Sequence, residues 1–72
     1  MTMGHWPSTK ASKVFRALLR KGYAIKSQKG SHIVLMHPER GSFVWAFHDH
    51  VEIGPKMLAR IAKQTGLSPE DL

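Results

Sequence analysis

The apolar residues of this 72-residue chain change their spacing twice, and that change limits what the chain can fold into. From Ser8 to Lys21 they recur at helical intervals, placing Ala11, Val14, Phe15, Leu18 and Leu19 in one stripe. Lys10, Lys13, Arg16, Arg20 and Lys21 fall largely on the other faces. From Tyr23 to Phe47 the apolar residues alternate as in extended chain. Between Gly54-Pro55 and Gly66 the helical spacing returns, with Met57, Leu58, Ile61 and Ala62 on the face expected to be buried. A chain this short supports one small core, so two helices and the extended segments must share it.

Turn and cap residues divide these stretches. Ser8 or Thr9 can cap the first helix, because a hydroxyl there accepts from a free N–H of the first turn. Gly22 ends it. Tyr23 to Ser27 is expected to be a strand, with Tyr23 and Ile25 on one face and Ala24 and Lys26 on the other. Ser27-Gln28-Lys29-Gly30 is expected to form a hairpin turn with Gly30 at positive φ. The next strand, Ser31 to His37, places His32, Val34 and Met36 opposite Ile33 and Leu35. Pro38-Glu39-Arg40-Gly41 is a turn signal, and Ser42 to Phe47 a third strand. His48 to Ile53 connects to the second helix, and Ser68-Pro69-Glu70-Asp71 has the character of a further helix start. The order α-β-β-β-α predicts a two-layer α+β sandwich, a three-stranded antiparallel sheet with two helices on one face, in the order of a double-stranded-RNA-binding domain. Residues 1–7 read as a loose lead-in and residues 8–72 as the domain.

The net charge of +6 is unevenly placed. Residues 1–40 carry eight Lys/Arg against one Glu, and residues 41–72 carry three against four Asp/Glu. Such asymmetry suits a polyanion, most commonly nucleic acid; an ordinary solvated basic surface is the competing reading. With no cysteine, disulfides and thiolate metal sites are excluded. No apolar run spans a bilayer and no signal-peptide pattern opens the chain, so a cytoplasmic location is expected.

Two clusters carry candidate chemistry. In Gln28-Lys29-Gly30-Ser31-His32 a glycine lets phosphate approach the backbone, Ser31 and main-chain N–H groups can donate to it, and Lys29 adds charge. His32 can exchange a proton near neutral pH. RNA supplies its own nucleophile, the 2′-hydroxyl, so a protein that cleaves it needs a proton acceptor, a donor for the leaving oxygen and charge stabilisation, with no metal or other cofactor. The same triplet fits a strand histidine with an ordinary hydrogen bond. The second cluster is His48-Asp49-His50, with His37 on a neighbouring strand. Two histidines two apart in extended chain point the same way, which suits phosphate binding, a second acid/base role or a polar loop better than a metal site, for which further ligands are not evident. Lys10, Lys13, Arg16, Lys26, Gln28, His48 and His50 are the candidate RNA-binding residues. Trp45 and Phe47 stack bases if they face outward and fill the core if they face inward.

Taken in order, Leu18-Leu19-Arg20-Lys21-Gly22-Tyr23, Gln28-Lys29-Gly30-Ser31-His32, Glu52-Ile53-Gly54-Pro55 and Leu58 through Ser68 resemble the HicA toxins of HicAB toxin–antitoxin systems. The resemblance runs from about Ser12 to Leu72. It implies the double-stranded-RNA-binding-like fold, mRNA cleavage, and a HicB antitoxin as partner and as the source of any larger assembly. It also implies that His32 is catalytic, with Gly30, Ser31 and Lys29 as its support. The chain departs from the pattern at Lys56-Met57, where Gly-Thr is frequent, and at Ala46-Phe47, where a Pro commonly precedes the histidine. Without the resemblance, a non-catalytic RNA-binding module of the same fold and a protein-interaction regulator are the alternatives.

Overall fold

The computed structural model describes residues 6–72. The elements run β1 (Thr9–Lys10), α1 (Ala11–Arg20), β2 (Ala24–Lys29), β3 (His32–His37), β4 (Gly41–Trp45), β5 (Glu52–Ile53), α2 (Pro55–Thr65) and a 3₁₀ turn, Pro69–Asp71. Strands β2, β3 and β4 form an antiparallel three-stranded sheet, and β1 pairs with β5 in a second, two-stranded one. The expected α+β layers are present. The β1–β5 pair is an addition, because two-residue strands carry no periodicity that a sequence can display.

The β1–β5 pair also shifts the start of α1. The helix begins at Ala11 rather than Ser8, and its N-cap is Lys10, with no capping side chain. Ser8 and Thr9 therefore do not cap it. The first N–H groups go instead to backbone carbonyls of a distant loop: Ala11 N donates to Val51 O at 2.8 Å and Ser12 N to Asp49 O at 3.1 Å. These bonds satisfy donors that every helix start leaves free.

The core lies between the helices and one face of the sheet. Val14, Ala17 and Leu18 of α1, Leu35, Trp45 and Ile53 of the strands, and Leu58 and Ile61 of α2 are buried together. The Phe15 ring packs 5.6 Å from that of Trp45. Trp6, read from the sequence as lead-in, is 7% exposed and belongs to this cluster; residues 1–5 of the expected lead-in lie outside the described residues. Two apolar residues of the helical stripes, Met57 and Leu19, are exposed, and so is Ile25 of β2. Ile25 sits opposite Leu35 in register but is 52% exposed, because every residue of edge strand β2 is exposed.

At the end of the sheet near Gly41, Tyr23 is buried, and its hydroxyl donates to Thr65 O at 3.4 Å. Burial raises the phenol pKa, with Arg40 opposing. Gly66 ends α2 at φ +79, and a Cβ there would lie 2.5–2.7 Å from the Arg40 guanidinium. The 3₁₀ turn is held by a capping box, in which Ser68 N donates to Asp71 Oδ2 at 2.8 Å, and by a backbone bond from Asp71 N to Ser68 O at 2.9 Å. Asp71 also pairs with Lys21 at 3.1 Å, and Arg20 donates to its carbonyl at 2.9 Å.

The Ser68 N–H bond, with help from Lys21, holds the Asp71 carboxyl below its ordinary pKa. A depressed carboxylate contributes stability that is present above its unfolded pKa, about 3.9, and lost as pH falls through the lower folded value. We expect Asp71→Asn to lower stability by about 1 kcal/mol at neutral pH. The loss should shrink toward zero below the folded pKa, measured by chemical denaturation across an acid pH series.

Candidate functional site

The hairpin between β2 and β3 is tighter than the sequence suggested. Lys29 stands opposite His32, leaving a two-residue loop, Gly30–Ser31, while Ser27 to Lys29 continue the strand. Gly30 has φ +60 and no non-glycine residue among those described has positive φ, so the loop has the positive-then-negative sign pattern of a II′ turn. A bulge between Ile25 and Ser27 places Lys26 at the irregular point of β2.

The pleat then sorts the side chains. Leu35 is buried on the helix side, whereas His32, with Val34 and Met36, lies on the opposite face of β3. His32 is exposed, as is Lys29 directly across the ladder; Cβ atoms of such a pair are about 4.5–5.5 Å apart. Val44, paired with Val34, extends the same open face and is 54% exposed. The result is an accessible imidazole beside an ammonium group at one end of an uncovered sheet face with apolar residues behind it.

A cleft of about 410 Å³ opens at the same end of the sheet, lined by Gln28, Gly30, Ser31, Ile33, Phe47, His48, Asp49 and His50. Its residues include Ile33 of the helix-side face, and His32 is not among them. Gly30 and Ser31 thus belong to both surfaces, with the cleft on one side of the tip and His32 on the other. The far wall is the turn that follows β4. Strand β4 ends at Trp45, so Phe47 is not part of it; its ring packs edge-on to Trp45 at 5.1 Å. Trp45 itself is core, which leaves Phe47 alone of the two to meet a ligand.

His48 and His50 do not lie in extended chain. A turn, closed by Val51 N donating to His48 O at 3.0 Å, brings their rings into a near-parallel stack, centroids 6.2 Å apart and 18° between planes. His37 does not join them. It sits at the opposite end of β3, against Tyr23 at 4.9 Å, and its Nδ1 accepts from Glu39 N at 3.1 Å. Among the described residues no three His, Asp or Glu side chains converge as a cation site.

Of the basic residues singled out, Lys10 and Lys13 flank Ala11 and Ser12, whose N–H groups hold the Val51 and Asp49 carbonyls, and Arg16 follows about one helical turn later; all three are exposed. None of them, nor Lys26, lines the cleft. Phe47 is legible in the sequence as a base-stacking residue and Asp49 only as part of the His48–His50 cluster; Ile33 is not legible there as a site residue. Asp49 had a signal in its place between two histidines, but Ile33 had none beyond strand alternation.

A sequence model described as HicA toxin of bacterial toxin-antitoxin matches residues 11–67. The chain belongs to the HicA toxin family. The matched stretch holds the hairpin tip, the open sheet face, the 48–50 turn and α2, and leaves Trp6 and the terminal 3₁₀ turn outside. No curated protein matches the chain closely. As a HicA toxin it works within a toxin–antitoxin pair, so an antitoxin is its partner. No described helix is long and apolar enough to cross a membrane.

The hairpin tip gives a direct test of the local geometry. A Cβ on Gly30 meets nothing within 4 Å, so any loss on substitution comes from φ alone. Gly30→Ala should lower stability by about 1–2 kcal/mol, read from urea unfolding, with the far-UV spectrum unchanged.

Proposed function

We propose that this HicA toxin is an endoribonuclease that cleaves mRNA with His32 as its acid/base group and is neutralised by a HicB-type antitoxin. The observation that carries this reading is the exposed His32 imidazole beside Lys29, at a tip whose Gly30–Ser31 backbone lets phosphate approach. His32 accepts the proton of the substrate 2′-hydroxyl, and that oxygen attacks the adjacent phosphorus. The P–O5′ bond breaks, the 5′-oxygen takes up a proton, and a 2′,3′-cyclic phosphate is left. Lys29 offsets the charge that develops on the phosphoryl oxygens. The substrate brings the nucleophile, so neither a metal nor a covalent intermediate on the protein enters. Exposed Lys10, Lys13 and Arg16 supply sequence-independent attraction for the rest of the strand. The domain proper is residues 8–72, joined by Trp6 through its burial in the core.

Incubation with RNA in EDTA tests this. Wild-type protein should cut, His32→Ala should cut at least about 10²-fold more slowly while remaining folded, and a 2′-deoxy substitution at the cut should stop the reaction. Equal cutting by the variant removes His32 from the mechanism. RNA binding without cutting favours the non-catalytic RNA-binding module.

The open sheet face supports the antitoxin part of the proposal. His32, Val34, Met36 and Val44 share it, so a protein laid across these apolar residues also covers the imidazole. Val44→Glu should weaken HicB-type antitoxin binding by about tenfold or more, read by titration calorimetry, and leave RNA cleavage by the free toxin unchanged.

A further inference from the structure

We infer that the cleft between the hairpin tip and the 48–50 turn is a base-binding subsite that takes the nucleobase next to the cut and sets the preferred cleavage site. The inference rests on the proposed RNA cleavage at His32. Gly30 and Ser31 line this cleft and also separate it from His32, so a strand whose phosphate lies at His32 and Lys29 crosses only a two-residue tip to put its next base inside.

The lining matches a base better than a bare phosphate. Ile33 and the half-buried Phe47 ring give an apolar wall, and Trp45 backs Phe47 from behind. The stacked His48–His50 pair presents flat aromatic surface at the rim. Flipped bases of single-stranded RNA stack on such side chains and use their edges for hydrogen bonds. Gln28 can donate and accept, whereas the Asp49 carboxylate only accepts. Asp49 opposes an anion and favours a base edge bearing an amino group over uracil. No Lys or Arg lines the cleft, so the phosphate contacts fall to Lys29 on one side of the tip and to Lys13 near the turn on the other.

The turn is also held in place before any ligand arrives. The bonds from Ala11 N and Ser12 N fix Val51 and Asp49 through their carbonyls, and among the described residues no side chain of 48–50 makes a hydrogen bond or ion pair to the rest of the fold. Pre-set walls avoid much of the ordering cost of binding. Because the backbone makes these bonds, side-chain substitutions at positions 49 and 50 leave the fold intact.

Two readouts test the inference together. First, wild-type, Asp49→Asn and His50→Ala proteins each cut a randomised RNA pool, and the cut ends are sequenced. Each variant should change the base preference beside the cut by about tenfold or more, with cleavage still lost in its His32→Ala double variant. Unchanged preference in both variants overturns the inference. Second, His32→Ala protein is titrated with a 2′-O-methyl RNA tetranucleotide, the same oligomer abasic beside the site, or inorganic phosphate. The His48 and His50 ring resonances should move with the first and not with the other two. Equal movement with the abasic oligomer or with phosphate overturns a base-binding role. If wild-type protein cuts nothing but the base-dependent shifts are seen, the nuclease reading fails and takes the cleavage-site role with it, and the cleft is left as a base-binding site alone. Cutting without either effect leaves the nuclease and removes the subsite.

Discussion

The start of α1 has no capping side chain, and the donors it leaves free are met by the carbonyls of Asp49 and Val51. Much else follows from these two bonds. They draw the turn after β4 against the helix, align Thr9–Lys10 with Glu52–Ile53, and set residues 48–50 opposite the hairpin tip. A serine or aspartate cap would satisfy the helix locally and leave the turn free of it. Here one unmet local need joins residues some forty positions apart, and the cleft is the space that remains between them.

The sheet separates a core face from an open one. One face carries Leu35 and Trp45 into the core under the helices, and the other carries His32, Val34, Met36 and Val44 outward. Strand alternation makes this a strict partition, because a one-residue slip of β3 would bury His32 and expose Leu35. The two-residue Gly30–Ser31 loop pins the register at the end where the candidate chemistry lies. At the other end Tyr23, His37, Arg40 and Thr65 pack around the close of α2, and Asp71 ties the chain end to α1. The charged and aromatic groups there serve the fold, which is why His37 takes no part with the other histidines.

Local pattern made most of the architecture legible. The helical stripes, the glycine ends at Gly22 and Gly66, the proline start at Pro55 and the alternation through β3 depend on near neighbours, which a sequence displays directly. The errors share one cause. Ser8 and Thr9 have cap chemistry, but strand pairing took Thr9 and the distant carbonyls took the helix start. Met57 and Leu19 fit apolar periods at positions the other layer does not cover. Trp6 has no periodic context, yet a large aromatic ring finds the core whenever the chain can reach it.

The sequence alone determined the order of the main elements and the place of His32 on the strand face away from Leu35, because each follows from spacing along a few neighbouring residues, and it carried the family in an ordered series of motifs along most of the chain. Only the tertiary structure decided that His48 and His50 stack in a turn, that His37 leaves them, and that Phe47 and Asp49 meet Gly30 and Ser31 across a cleft. Those outcomes depend on which distant backbone groups satisfy one another, and hydrogen-bond partners far apart in the chain leave no periodic trace in it.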